Sequence, residues 1–310
     1  MNEKVEQHNH FVAFIDLLGY KDFFKDNRHN VEKFLTTIDK ALTSAVSETE
    51  SYYAKIPTSF KPQIKLFSDN ILIAIRCSRK NEDDFLPYLN LVRIVAKIQA
   101  TFINKYQLFL RGGIAKGMFY FGEKYVFGEA LINAYEMEQI AIYPKIVLET
   151  KHIEKIISHI KSRGKGYDLL AKLLTAVVGK ERDGSYFVNY LPAFPMNEKN
   201  PENYFIESIF AEGFEQKSFL SNEQKLTRDD NLLALHRDAL LEKLQEYGSY
   251  DTLFSLKDIE NRRKVILKYM WSLDYHNQAS ALLNYHELII HCDIKTDSRT
   301  LQPVVEVLKG

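Results

Sequence analysis

Apolar residues along the chain follow two different periods. Phe11-Val12-Ala13-Phe14-Ile15-Asp16-Leu17-Leu18 is a nearly unbroken apolar run closed by Gly19-Tyr20, which reads as a strand buried on both faces. Beyond it, Phe23, Phe24, Val31, Phe34, Leu35, Ile38, Ala41, Leu42 and Ala45 recur at three-and-four spacing and predict one long amphipathic helix over 20–50. The link Ile56-Pro57-Thr58-Ser59-Phe60-Lys61-Pro62 stops that helix. Strands at 63–67 and 70–76 come next, with Ser68-Asp69-Asn70 as a tight turn between them. A helix over 83–106 leads to a strand over 108–117 and a short strand at 118–121. A further helix runs from Gly128 to Ile142, Tyr143-Pro144 ends it, and Ile146-Val147-Leu148-Glu149 resumes a strand. The order β-α-β-β-α-β-β-α-β predicts an α+β fold, a mostly antiparallel sheet with helices on one face.

The second half is less regular. Residues 150–176 read as helical, and Asp183-Gly184 is a turn into a strand over 185–191 that extends the sheet. A polar connector spans 195–230, followed by helical patterns at 235–244 and 259–271. The domain division expected from this is 9–195 for the α+β domain and 196–310 for a mainly helical extension packed on it.

Composition narrows the class. With 310 residues, 45% of them hydrophobic and 13% aromatic, the chain can bury a large core. Lys+Arg (41) equals Asp+Glu (41), so the basic excess of a general nucleic-acid binder is missing and none is expected as partner. Cys77 and Cys292 are far apart with no Cys-x-x-Cys, which argues against a disulfide framework and a thiolate zinc site. No apolar run approaches the ~18 residues of a membrane span, and the chain reads as cytoplasmic.

Two carboxylates then stand out, Asp16 on the first strand and Asp69 at the tip of the hairpin. A carboxylate in an apolar strand needs something positive nearby to offset its desolvation. Side by side, the pair would make an oxygen-ligand site for Mg²⁺ or Mn²⁺, with the Leu17 carbonyl as a further ligand. The plainer alternative is that each caps local backbone N–H groups. The turn Leu18-Gly19-Tyr20 opens a helix whose N-terminal N–H groups can cradle phosphates, and Lys21 in its first turn is placed to contact them. Arg111-Gly112-Gly113 reads either as part of a site or as a strand approached closely by other backbone. His8, His10 and His29 lack spaced partners for zinc, Cys77 reads as core, and Gly164-Lys165-Gly166 and Gly179-Lys180 lack the full phosphate-loop spacing.

Four of these segments together resemble the catalytic domain of class III nucleotidyl cyclases, over about residues 9–150. Phe14-Ile15-Asp16-Leu17-Leu18-Gly19-Tyr20 is similar to the family's first metal strand, and Lys65-Leu66-Phe67-Ser68-Asp69 to its second metal hairpin. Arg111-Gly112-Gly113-Ile114-Ala115-Lys116-Gly117 resembles its Arg-x-Gly-Ile-x-x-Gly strand, and Phe127-Gly128-Glu129-Ala130-Leu131 the turn into its dimer-interface helix. The resemblance implies a ferredoxin-like cyclase domain and a homodimer with shared sites. It implies conversion of a nucleoside triphosphate to a 3′,5′-cyclic monophosphate and pyrophosphate, by two-metal catalysis at Asp16 and Asp69. It places Lys65 and Tyr125 at the base, and Tyr125, in place of an acid, suits a pyrimidine, as in the stand-alone pyrimidine cyclases of bacterial antiphage systems. The family's ribose and phosphate contacts, an Asn and an Arg four residues later, fall on Ile132 and Glu136; Asn133 is the substitute for the first, and Arg111 or Lys116 for the second. The alternative the same residues leave open is a catalytically silent nucleotide-binding module of cyclase fold.

Overall fold

A computed structural model describes residues 6–27, 31–52, 61–78, 84–162, 174, 176–193, 232–248, 256–296 and 303–307. The chain forms two compact units, 1–102 with 108–193, and 103–107 with 194–310.

The first unit is built on a sheet of strands β1 (His8–Leu17), β2 (Gln63–Phe67), β3 (Asn70–Arg76), β4 (Leu110–Phe121), β5 (Val126–Gly128), β6 (Ile146–Leu148), β7 (Val178–Lys180) and β8 (Tyr186–Val188). Its order is β2-β3-β1-β4-β6-β8-β7, with β5 paired to β4. Only β4 and β6 run parallel; the other pairs are antiparallel. The helices are α1 (Tyr20–Asn27), α2 (Val31–Tyr52), α3 (Phe85–Tyr106), α4 (Glu129–Ile140), α5 (Thr150–Ser162) and the short α6 (Tyr190–Ala193). This is the mostly antiparallel α+β architecture that the hydrophobic pattern indicates.

β1 is central, and Phe11 to Ile15 are all buried because both faces are covered. Phe11 meets Tyr88 of α3, ring centroids 5.0 Å apart, so its face of the sheet carries α3. Val12 and Phe14 point the other way, into a core shared with Ala130 and Ala134 of α4. The helix α4 therefore lies on the opposite face, an addition to the one-sided arrangement expected. Its close seating rests on small residues. A Cβ on Gly113 would stand 2.5 Å from the Ala134 carbonyl oxygen, and one on Gly117 2.9 Å from the Ala130 nitrogen. These two glycines, four apart on one face of β4, meet the small face of α4 directly.

Four element boundaries differ from those expected. The long helix over 20–50 is two helices, α1 and α2, and residues 28–30 lie outside the described residues. Polar Asp26-Asn27-Arg28-His29-Asn30 supplies the reason, since Asn favours caps over helix interiors. The strands expected at 108–117 and 118–121 are one strand, β4, because Gly117 and Met118 keep pairing with His10 and Asn9 of β1. The strand expected over 185–191 is only β8, with α6 starting at Tyr190; of the helix expected over 150–176, α5 covers Thr150–Ser162 and 174, 176 and 177 are helical, while 163–173, 175 and the 195–230 connector lie outside the described residues.

The second unit holds α7 (Leu232–Gly248), α8 (Leu256–Leu282), a 3₁₀ turn at His286–Leu288, and an antiparallel hairpin of β9 (Cys292–Thr296) and β10 (Pro303–Val307). Between α7 and α8, His236 and His276 are fully buried, their rings stacked with centroids 5.2 Å apart. No helix among the described residues is long and apolar enough to cross a membrane.

Candidate active site

The C-terminal end of β1 and the β2–β3 turn meet at one edge of the first unit. Asp16 stands opposite Asn70 in the β1–β3 register, and the Leu17 N–H donates to the Asp69 carbonyl at 2.9 Å. This backbone pairing brings Asp16 and Asp69 one step apart on neighbouring strands. The turn is a two-residue loop, Phe67 opposite Asn70, with Ser68 in the left-handed region at φ 55°. The Asn70 amide donates to Asp69 Oδ1 at 3.1 Å, which orients that carboxylate. Beyond β1 the chain turns at Gly19, φ 79°, after the Leu18 N–H donates to the Phe109 carbonyl at 2.9 Å. Tyr20 then begins α1, its ring stacked on Phe24, and Lys21 is exposed in the first turn.

Asp16 does not stand alone. Arg111, its register partner on β4, donates to Asp16 Oδ2 at 3.0 Å and pairs also with the Glu138 carboxylate of α4. Asp16 and Arg111 keep 19% of their side-chain surface exposed, Glu138 2%. One guanidinium thus holds two carboxylates, with Glu138 brought to it by the buried stripe Ala130-Ala134-Glu138 on α4. Sequence reasoning missed Glu138; its i+4 spacing from two alanines on the sheet-facing side was the signal.

Lys65 and Tyr125, far apart in sequence, come together at the β4–β5 loop. Lys65 Nζ donates to the carbonyls of Gly122 and Glu123, both at 2.7 Å, and lies 5.4 Å from the Phe121 ring centroid. Two of its three N–H donors are thereby used. The Tyr125 carbonyl accepts from the Gly122 N–H at 2.9 Å, and the Tyr125 side chain is 69% exposed.

Two residues expected at the site lie elsewhere in the unit. Lys116 is on the opposite face of the sheet: it pairs with Asp84 and lies 5.6 Å over the Phe11 ring, whereas Arg111 faces α4. Lys116 is five positions along β4 from Arg111, an odd offset, so strand alternation puts the sheet between Lys116 and Asp16. Of the two cations expected near the site, Arg111 stands beside Asp16 and Lys116 does not. Asn133 lies on the flank of α4 turned away from Tyr135, whose ring meets Phe14 of β1 with centroids 5.6 Å apart. Ile132 is 58% exposed and Glu136 is exposed beside it, so neither touches Asp16.

A hard cation fits the chemistry of the Asp16 edge: two carboxylates on adjacent strands and the backbone carbonyl of Leu17 are all oxygen donors. Arg111 competes for the same charge. Among the described residues no group of three or more His, Cys, Asp or Glu side chains forms a metal cluster, so the donor set is a sparse one completed by backbone and ligand oxygens.

No family model matches the chain, and no curated protein matches it. Solved structures similar to it include the adenylyl cyclase CyaB from P. aeruginosa, at 15% identity and TM-score 0.36, over 60% of this chain and 96% of that one. Another is the monomeric guanylyl cyclase domain of the RhoGC fusion protein from the aquatic fungus Blastocladiella emersonii, at 15% identity and TM-score 0.35, over 60% and 98%. A third is an adenylate/guanylate cyclase/hydrolase from Silicibacter pomeroyi, at 13% identity and TM-score 0.35, over 59% and 95%. At such identities and scores the likeness says nothing of activity, which has to be argued from the residues of the site.

Proposed function

We propose that this protein is a nucleotidyl cyclase that converts a nucleoside triphosphate to a 3′,5′-cyclic monophosphate and pyrophosphate. The observation that carries the reading is the backbone adjacency of Asp16 and Asp69, with Asp16 opposite Asn70 and the Leu17 N–H on the Asp69 carbonyl, next to the Gly19 turn and the start of α1. Asp16, Asp69 and the Leu17 carbonyl would hold Mg²⁺ or Mn²⁺, which when bound neutralises phosphate charge and lowers the pKa of the attacking hydroxyl. The chain's own residues bind and orient. The backbone N–H groups of Gly19 to Lys21 and the exposed Lys21 ammonium receive the triphosphate at the positive end of α1, the Leu18 N–H being held by the Phe109 carbonyl. Glu138 retains Arg111 when Asp16 turns to a metal, so the guanidinium stays beside the phosphates as a source of positive charge.

Base recognition falls to Lys65 and Tyr125, which already share the β4–β5 loop. Tyr125 in place of an acid favours a pyrimidine triphosphate, and an antiphage second messenger is the role such a product would have. Two copies of the chain would complete the site, with Asp16 and Asp69 from one copy and Lys65, Tyr125 and Asn133 from the other. Exposed Phe127, Ile132, Tyr135 and Ile140, on β5 and α4, give the apolar surface such a pairing needs.

A second reading is favoured by one observation, the ion pair that occupies Asp16: a nucleotide-binding module of the same fold without turnover. Incubation with Mn²⁺ and each ribonucleoside triphosphate, followed by mass spectrometry, separates the two. A cyclic monophosphate lost in both Asp16→Ala and Asp69→Ala supports the cyclase. Nucleotide-induced thermal stabilisation with no product from any triphosphate sinks it and leaves the binding module.

A further inference from the structure

On the face of the sheet opposite Asp16 lies a cavity of about 50 Å³ lined by Asp84, Lys116, His152, Lys155 and His159, with the Phe11 ring among its apolar walls. His152, Lys155 and His159 fall on one face of α5, at i, i+3 and i+7. Lys116 comes from β4, and Asp84 stands just before the start of α3. The sheet separates all five from the Asp16–Arg111 pair.

The polar groups around this cavity are unevenly satisfied. Asp84 is 9% exposed; its Oδ2 accepts from Lys116, and its Oδ1 is buried with no partner among the described residues. A buried carboxylate oxygen without a donor is costly. His152 Nδ1 lies 2.8 Å from Glu149 Oε2, and Lys151 pairs with the other Glu149 oxygen at 2.6 Å. Burial pushes the Glu149 carboxyl up, but the hydrogen bonds from His152 and Lys151 outweigh it and bring the pKa to about 2. That contact fixes the orientation of the His152 ring. Lys155 is exposed at the rim with no carboxylate partner among the described residues. The cavity therefore offers one unused acceptor deep inside, and an ammonium and two imidazoles around it.

We propose that this cavity is a second ligand site, which takes inorganic hydrogen phosphate. Its P–OH donates to Asp84 Oδ1, and its charged oxygens accept from Lys155 and from the His159 imidazole, with His152, held by Glu149, as part of the wall. A water occupies roughly 10–15 Å³ of such space, so the cavity holds a few waters or one ion of this size. Sulfate, with equal charge and shape, carries no proton at neutral pH and leaves Asp84 Oδ1 unsatisfied against an anion. The site thus discriminates by a single hydrogen. The inference does not depend on the cyclase reading, because the site shares no residue with the Asp16 edge.

Isothermal titration of the full chain with sodium phosphate, sodium sulfate and glycerol 3-phosphate at neutral pH tests this. Saturable phosphate binding is expected, weakened by about tenfold or more in Lys155→Glu, as loss of a charged hydrogen bond predicts. His159→Gln, a second variant near the rim, weakens it in the same direction, and thermal melts of both variants check that they fold. Glycerol 3-phosphate, mostly an unprotonated dianion at neutral pH, should bind more weakly than phosphate, which supports the site; binding as tight as phosphate overturns it. Sulfate binding as tightly as phosphate, phosphate binding unchanged in Lys155→Glu, or no saturable phosphate binding overturns it.

Discussion

Acidification should unfold the second unit before the first, through the two buried histidines between α7 and α8. His276 Nε2 lies 2.9 Å from the Leu288 carbonyl, which can only accept, so Nε2 carries the proton and Nδ1 is bare. His236 Nδ1, 3.2 Å from His276 Nδ1, must then be the donor between the rings. Both rings are thereby neutral, and neither can take a second proton without placing an unpaired charge in the core. Burial lowers the pKa of His276 from 6.5 to about 4, and burial beside His276 lowers that of His236 well below its ordinary value. A lowered folded pKa means the unfolded chain binds more protons between about pH 4 and 6.5, so stability is full above that window and falls as pH drops through it. Each tenfold in proton affinity is about 1.4 kcal/mol, so His276 alone removes roughly 2.5 kcal/mol between pH 8 and pH 4.5. His236 adds to this.

The chain has one tryptophan, Trp271, and it stacks on Tyr275 of α8 with ring centroids 5.3 Å apart. Its fluorescence is a local reporter for urea unfolding of this unit as a function of pH. The expected result is a midpoint that is constant above pH 7 and falls steadily toward pH 4.5, with the slope reduced in His276→Leu, His236→Leu or both together. A midpoint that does not move between pH 7 and 5, or a slope equally steep in the double variant, refutes the tautomer and burial argument.

Other outcomes concern the first unit and the two cysteines. Gly113→Ala, whose methyl would press on the Ala134 carbonyl and on Met137 Cβ at 2.5 Å, should cost about 1–3 kcal/mol in urea unfolding. Gly19→Ala meets open space, so its cost is that of the left-handed backbone alone, about 1–2 kcal/mol. Lys65→Met removes two hydrogen bonds to the β4–β5 loop and should speed limited proteolysis near Gly122 while leaving the rest of the sheet protected. Cys77 is buried, and its desolvated thiol is pushed up to about 12, whereas Cys292 is partly exposed. A thiol reagent at pH 8 should therefore modify Cys292 alone in the native protein, and Cys77 only after unfolding.

Strand β1 and the hairpin of β2 and β3 were legible because their apolar runs are bounded by strong turn signals: Gly19, the prolines before 63, and Ser68-Asp69. Asp16 and Asp69 stood out for the same reason, as charges interrupting those runs. Pairing partners across the sheet were not legible. Nothing in the local sequence of Arg111 says that it opposes Asp16 by register, nor that Lys116, five residues on, faces the other way once Gly112, Gly113 and Gly117 are counted as uninterrupted strand. Glu138 was hidden by the same limit, since its importance comes from the strand that α4 happens to cover. The β9–β10 hairpin carried a period-two signal in Val304, Val305 and Val307, but its short strands end near the chain terminus and follow a helix-rich stretch.

The seam between β4 and α4 is closed on the strand side by Gly113, Ala115 and Gly117, and this ties two properties of the molecule that usually vary apart. Met137 rests against Gly113, and the next residue on α4, Glu138, shares the guanidinium of Arg111. The thickness of that seam therefore sets how far a buried negative charge stands from Asp16. A methyl group added at Gly113 carries no charge, yet by lifting α4 it would release Arg111 to Asp16 alone. Here, the spacing of two backbones acts as a dial on the electrostatics of the Asp16 edge.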